Sequence, residues 1–184
     1  MKSYFLKPQF YKSYIRPILF SLPPEFSQKI ADMVLEKRIF QKLISDNLLV
    51  NNPKLTTKFV GIELNNPVGL AAGYDKNCKH ITATEKLGFS YLVCGTIINN
   101  PRFGNPKPRI SRLPKDNALI NSLGFPSEGL NQIIHNLNKS KNHNNPIILS
   151  ISGLNINEIL NCYKKLETYA NAFEINISSP NTKG

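Results

Sequence analysis

The chain is 184 residues long, carries a formal charge of +11, and contains 41% hydrophobic residues and 13 prolines. That composition suits one folded, loop-rich domain with a substantial core and excludes a disordered chain. The charge calls for an acidic counterpart, whether membrane headgroups, nucleic acid or a phosphorylated ligand. Cys78, Cys94 and Cys162 include no C-x-x-C pair, so neither a disulfide framework nor a zinc site is expected, and a reducing cytosol is the default. Cys78 and His80 are close in sequence, but two residues do not make a metal site. No run of about 18 apolar residues and no cleavable apolar leader occurs, so the chain is expected neither to span a membrane nor to be secreted.

From Met1 to Pro24 there is no acidic residue, while Lys2, Lys7, Lys12 and Arg16 alternate with Tyr4, Phe5, Phe10, Tyr11, Tyr14 and Phe20. Tyr11, Tyr14, Ile15, Ile18, Leu19 and Leu22 recur at helical spacing, and Pro17 must start that helix or kink it. A second helix is predicted to begin at Pro23-Pro24-Glu25, with Phe26, Ile30, Met33, Val34 and the stem of Lys37 on one face. Two short amphipathic helices with a basic, aromatic surface suit a membrane interface, or else pack on the rest of the protein. Nucleic acid is disfavoured because the basic residues are spread out and accompanied by large aliphatics.

"TKFVGIELNNP" alternates as a strand or a small hairpin closing at Asn65-Asn66-Pro67. "VGLAAG" is a continuous small-apolar run, as in a parallel strand buried on both faces, and it opens into "YDKN". The helical "HITATEKLGF" and the strand "YLVCGT" complete a β-α-β unit. Residues 97–129 read as a long irregular segment rich in Pro, Gly and Asn, of a length that marks function. The helix "LNQIIHNLNKS", the strand "PIILSIS", the helix "INEILNCYKKLETYA" and the strand "AFEINIS" follow. The layout is α/β with parallel pairing.

Polar residues gather where these strands end: Gly73, Tyr74, Asp75 and Lys76; Gly95 and Thr96; residues 150–153; and residues 178–182. At the carboxyl ends of α/β-barrel strands such residues read as catalytic or binding. Each also has a structural reading: Lys76 as a solvated loop charge, Thr96 as a helix cap, and Ser-Ser-Pro-Asn-Thr as a turn.

Taken together, "NPVGLAAGYDKN", "GTIINNPRFGNPKPRISRL", "ALINSLGF" and "INISSPNTKG" resemble, in order and spacing, the dihydroorotate dehydrogenase family, and most of all its membrane-associated, quinone-using class 2. "IRPILFSLPPEFSQK" resembles the paired helices through which that class sits on the membrane and admits quinone. Ser179 stands where the soluble class 1 enzymes have a cysteine. The resemblance implies a (β/α)8 TIM barrel, here its N-terminal half (51–184), preceded by a small helical membrane-associating extension (1–50). It implies FMN as cofactor and oxidation of dihydroorotate to orotate in pyrimidine synthesis.

On the matching positions, Ala71, Ala72, Gly73, Tyr74 and Asp75 would line the flavin, where small residues let backbone approach a flat ring. Thr96 would bond to FMN, and Lys76 would hold the substrate beside it. Asn121, Ser122, Leu123, Gly124 and Phe125 would form the substrate loop, with Asn176 and Asn181 binding the substrate and Asn176 also the cofactor. Ser179 would act as general base at C5 of dihydroorotate while a hydride leaves C6 for the flavin. An isolated serine is a weak base, so water or neighbours such as Asn176 and Thr182 would assist it in a closed site.

Two positions depart from the class 2 pattern. At "LSISG", Ser150 and Ser152 stand in a strand that usually carries an FMN-contacting asparagine. In "INSLGF", Ser122 and Leu123 replace a common arginine and methionine. A barrel of this type takes about 250 residues, and four of its strands are expected here. The expected partners are therefore dihydroorotate or orotate, a quinone, a membrane surface and the remaining half of the barrel, but not nucleic acid. The expected location is the cytoplasmic side of a bacterial inner membrane or, alternatively, the mitochondrial inner membrane. The alternative reading is an inactive truncated remnant that only touches a membrane or a partner.

Overall fold

The computed structural model describes residues 8–42, 52–140 and 142–178. Ser179, expected as base, Asn181, expected to bind the substrate, Thr182, expected to assist the base, and the boundary expected at residues 50–51 lie outside them. Residues 8–21 are helical throughout, with α1 (Pro8–Phe10) passing through a π-turn (Tyr11–Ile15) into α2 (Arg16–Ser21). Pro17 supplies a physical reason for the π-turn. It has no N–H for the carbonyl four residues back and its ring crowds that carbonyl, so the backbone widens and the Arg16 N–H donates to the Tyr11 carbonyl.

Helix α3 (Pro24–Leu35) begins at the expected prolines, with Glu25 in its first turn, where a carboxylate complements the helix dipole. The Ser27 hydroxyl donates to the Leu19 carbonyl at 2.6 Å and ties α3 to α2.

The hairpin β1 (Thr57–Phe59) and β2 (Ile62–Leu64) turns at Val60-Gly61, not at the expected Asn65-Asn66-Pro67. Both turn residues have positive φ, 52° and 75°, the geometry that matches strand twist in a two-residue hairpin loop. Asn66 instead bridges the next connection, accepting from the Val68 N–H at 2.9 Å and donating to the Gly88 carbonyl at 3.2 Å.

Strand β3 (Gly69–Leu70), helix α4 (Ile81–Glu85) and strand β4 (Tyr91–Ile97) form the β-α-β unit, with β3 shorter than its apolar run implied. The segment expected to be irregular contains an antiparallel hairpin, β5 (Ile110–Leu113) with β6 (Ala118–Asn121). Its strands are short and largely exposed, so no strong alternation marks them in the sequence.

Helix α5 (Leu130–Lys139), strand β7 (Ile147–Ile151), helix α6 (Ile156–Leu166) and strand β8 (Ala172–Ile175) complete the described fold. The parallel sheet runs β3-β4-β7-β8 and does not close into a barrel. Strand β7 is buried along its whole length, as a parallel strand covered on both faces must be.

Leu92, Ile97, Ile147, Leu149 and Ile151 of the sheet pack with Ile81, Leu130, Ile133 and Leu166 in one core. Full burial of each such side chain contributes about 1.5–3 kcal/mol. This core fixes the relative height of β4, β7 and β8, and hence of the polar residues at their ends.

Candidate active site

Glycines set the spacing at the strand ends. Gly73 donates its N–H to the Gly95 carbonyl at 2.9 Å, and Gly95 donates to the Asp75 carbonyl at 3.0 Å, lacing the loop after β3 onto β4. At Gly95, φ is 124° and a Cβ would collide with the Ser150 carbonyl, so only glycine lets β4 approach β7 so closely. At Gly73, φ is 106° and the space a Cβ would fill is open, with no atom within 4 Å. Ala71 is exposed and Ala72 half-buried beside it.

A hydrogen-bonded chain crosses three strands at the same level. Thr96 Oγ1 lies 3.1 Å from Ser150 Oγ, with Ser150 fully buried at 0% exposure. Asn176 Nδ2 donates to Thr96 Oγ1 at 2.8 Å, and Ser152 Oγ donates to the Asn176 carbonyl at 2.8 Å. Asn176 Oδ1 faces both the N–H and the hydroxyl of Ser178, at 3.2 and 3.3 Å. Asn176, Ser152 and Phe125 border a cavity of about 480 Å³ over these strand ends.

Tyr74 and Asp75 turn their side chains into the scaffold. The Asp75 carboxylate, at 2% exposure, accepts from the N–H groups of Lys79 at 2.9 Å and His80 at 2.8 Å. It thereby shapes the turn that leads into α4. Burial pushes its protonation upward, against the pull of those two N–H groups. The Tyr74 hydroxyl donates to Asp32 Oδ1 at 2.9 Å, and burial together with that carboxylate raises the tyrosine pKa. Backbone atoms and small side chains therefore form the surface this loop offers to a ligand.

Lys76 Nζ donates to the Gly73 carbonyl and borders a second cavity, of about 610 Å³, with Leu123, Arg109, Asp32 and Glu25. Desolvation, and after it the Arg109 guanidinium, lowers the Lys76 pKa. Pro101 and Arg102 line both cavities. The loop at residues 121–125, expected from sequence to meet the substrate, is held by its neighbours. Ser122 N–H donates to the Arg109 carbonyl at 2.9 Å, and Asn105 donates to the Ser122 carbonyl through its side chain at 2.7 Å and to the Leu123 carbonyl through its N–H at 2.9 Å. Gly124 and Phe125 both have positive φ, 69° and 50°, which turns Phe125 toward the first cavity. Asn121, at the exposed end of β6, lines neither cavity, and its Oδ1 accepts from the Leu123 N–H at 3.4 Å. Thr96 and Asn176 are thus brought into contact, whereas Lys76, bonded to the Gly73 carbonyl, lines the second cavity and not the first.

Glu25, Gln28, Asp32, Glu36, His80, Arg109 and Arg112, none given a site role from sequence, organise the approach to this region. Arg109 donates to Glu25 Oε1 from Nε at 3.2 Å and Nη2 at 2.8 Å, and that bond lowers the Glu25 pKa. Arg112 donates to the Phe20 and Leu22 carbonyls at 3.3 and 2.7 Å, closing the open end of α2, and its guanidinium lies 4.5 Å from the Phe20 ring centroid. His80 Nδ1 lies 3.0 Å from Glu36 Oε1 but out of hydrogen-bond alignment, and its Nε2 lies 3.8 Å from Asp32 Oδ2. Glu25, Gln28, Asp32 and Glu36 recur at i, i+3, i+7 and i+11, a polar stripe that was readable from helical periodicity.

Glu25, Gln28 and Asp32 of that stripe turn inward, while Glu36 at its end is more exposed. The opposite, apolar side of α3 faces solvent, with Met33 at 56% exposure and Ile39, just beyond the helix, at 88%. No helix among the described residues is long and apolar enough to cross a membrane. Cys78 is buried against Cys94 while His80 faces α3, so the two side chains do not converge.

The dihydroorotate dehydrogenase family model matches residues 54–184. The dihydroorotate dehydrogenase (quinone) of Acinetobacter baumannii (strain SDF) is 40% identical over 183 residues, covering 93% of this chain and 52% of that protein. Its counterpart in Psychrobacter sp. (strain PRwf-1) is 35% identical over 176 residues, covering 92% and 50%. The chain spans about half the length of the curated relatives it matches. The crystal structure of a ligand-free dihydroorotate dehydrogenase from Eimeria tenella superposes with a TM-score of 0.72 at 33% identity, covering 88% of this chain and 47% of that one. On the strength of these matches, the chain belongs to the dihydroorotate dehydrogenase family.

Proposed function

We propose that this chain provides the flavin- and substrate-facing half of a quinone-dependent dihydroorotate dehydrogenase, which oxidises dihydroorotate to orotate in pyrimidine synthesis. The observation that carries this reading is the convergence of Gly73, Thr96, Ser150 and Asn176 on the carboxyl ends of four adjacent parallel strands. In this reading β3, β4, β7 and β8 are four of the eight strands of a (β/α)8 barrel. The remaining βα units pair with the edge at β8, where Ile177 is 88% exposed.

The residues at the strand ends fit FMN. Open space above Gly73 admits a flat ring against the backbone of Ala71, Ala72 and Gly73. Thr96 and Asn176, bonded to each other, would offer a hydroxyl and an amide to that ring. Bound FMN supplies two-electron chemistry. Lys76 binds the substrate carboxylate, and residues 121–125 close over the substrate and exclude water. Asn176 and Asn181 orient the substrate amides. Ser179 takes the C5 proton, and its serine oxygen needs the neighbouring polar groups to share that proton.

The foot formed by α1 to α3 attaches the protein peripherally to a membrane, on the cytoplasmic side of a bacterial inner membrane, where the quinone resides. Its inverted amphipathicity supports this, since a helix that only packed on the barrel would bury Phe26, Met33 and Val34 rather than expose them. Deleting residues 1–45 from the intact protein should abolish sedimentation with liposomes and slow quinone reduction far more than reduction of a soluble dye. Undiminished vesicle binding would move the attachment site elsewhere.

A further inference from the structure

Helix α3 touches both loops that the proposed function assigns to the substrate. Through Asp32 it holds the Lys76 loop, because Asp32 Oδ1 accepts from the Tyr74 hydroxyl at 2.9 Å and Oδ2 lies 3.8 Å from His80 Nε2. Gln28 adds a bond to the Tyr74 carbonyl at 3.4 Å. Through Glu25, α3 holds the other loop. Arg109 bonds Glu25 with its guanidinium and receives the Ser122 N–H on its own carbonyl, while its Nη1 donates to the Phe103 and Asn105 carbonyls at 2.6 and 3.2 Å. Each carboxylate is therefore one side chain away from a substrate loop.

The same carboxylates face the Lys76 cavity. Its charged lining comprises Glu25, Lys29 and Asp32 from α3, Asp75, Lys79 and His80 from the loop after β3, and Arg102, Arg109 and Glu128 from the segment after β4. Among these, Arg109 disfavours a charged Lys76, whereas Glu25, Asp32 and Asp75 favour it.

We propose that α3 is a positioning element for the dihydroorotate side of the site, with Glu25 and Asp32 fixing the Lys76 and Asn121 loops around the cavity that both carboxylates line with Lys76. The foot then does more than meet the membrane, because its polar stripe sets the substrate-binding charge. The inference rests on the proposed role of Lys76 as the ligand of an anionic substrate.

The test is the pH profile of anaerobic flavin reduction by dihydroorotate in the intact, flavin-loaded protein, comparing native with Glu25→Gln, Asp32→Asn and Asp32→Glu. Binding of the substrate carboxylate requires charged Lys76, so kcat/KM falls above the Lys76 pKa. Removing either carboxylate should move that alkaline limb down by about half a pH unit or more and raise the dihydroorotate KM several-fold, with kcat little changed. Glu25→Gln should have the larger effect because it leaves Arg109 unneutralised, and Asp32→Glu should keep the native limb.

A limb that stays in place, or an effect confined to the quinone KM, overturns the inference. Should Glu25→Gln fail to retain flavin, Asp32→Asn alone decides, since Asp32 bonds the Tyr74 hydroxyl rather than an arginine and carries the same charge. Failure of the native protein to be reduced by dihydroorotate would instead overturn the proposed function.

Discussion

Replacing Asp75 tests whether its carboxylate works as a scaffold inside the loop that carries Lys76. It accepts two backbone N–H groups, at 2.9 and 2.8 Å. Hydrogen bonds to a charged acceptor are worth about 1.5–3 kcal/mol each, so Asp75→Ala forfeits about 3–6 kcal/mol of gross interaction. Release of the buried carboxylate returns part of this, leaving a net cost of about 2–4 kcal/mol, a large share of the ~5–15 kcal/mol that holds a domain together. Asp75→Asn keeps one acceptor and sets an NH₂ against the second N–H, for about 1–2 kcal/mol.

Urea unfolding followed by far-UV circular dichroism measures both, the chain having no tryptophan. The pH dependence carries a sign as well. Burial raises the Asp75 pKa in the folded state, so the folded protein holds that proton more tightly than the unfolded chain. The advantage of native over Asp75→Asn should therefore shrink as pH rises from the ordinary carboxylate range through the raised value. An Asp75→Ala protein with an unchanged midpoint would refute the capping role. A native advantage that grew with pH would show that the hydrogen bonds outweigh desolvation.

Three further outcomes follow from the same contacts. Gly95→Ala places a Cβ against the Ser150 carbonyl at φ 124° and should cost about 3 kcal/mol or more, seen as a lowered unfolding midpoint and loss of bound flavin. Arg112→Ala frees the Phe20 and Leu22 carbonyls, so limited proteolysis should cut near residues 20–23 at rates well above native while the sheet core stays protected. The Glu25 pKa is depressed by Arg109, so the stabilisation from this pair is present above the ordinary glutamate pKa and fades as pH falls through the lowered value. Because the pair is only partly buried, the effect should be modest, weaken in high salt and vanish in Glu25→Gln, as read by acid titration of α3 docking.

The parallel core was legible because β4 and β7 are continuous apolar runs and α5 repeats Leu130, Ile133, Ile134 and Leu137 at helical spacing. The polar residues near the strand ends were legible for the same reason, since each run reaches a polar residue such as Thr96 or Ser150. Hairpin β5–β6 was not, because β6 is exposed along its length and β5 only half-buried, so no core selects an alternating pattern. Nor was the turn at Val60-Gly61, where a β-branched residue takes a positive φ that its type disfavours.

The direction in which α3 faces escaped the sequence altogether. Periodicity finds two faces on a helix, but which one turns inward depends on Arg109, Tyr74 and His80, which are remote in the chain. Ser150 was read both as a strand-end polar residue and as a departure from a pattern, but its bond to Thr96 depends on the register of β4 against β7, which periodicity does not give.

The most direct measurement of the central claim is anaerobic stopped-flow mixing of dihydroorotate with the intact flavin-loaded protein and its Ser179→Ala variant. The account predicts loss of oxidised-flavin absorbance in the native protein. It predicts flavin still bound but not reduced at a comparable rate in Ser179→Ala. Native flavin that dihydroorotate leaves oxidised, or a Ser179→Ala protein reduced as fast as native, would contradict it.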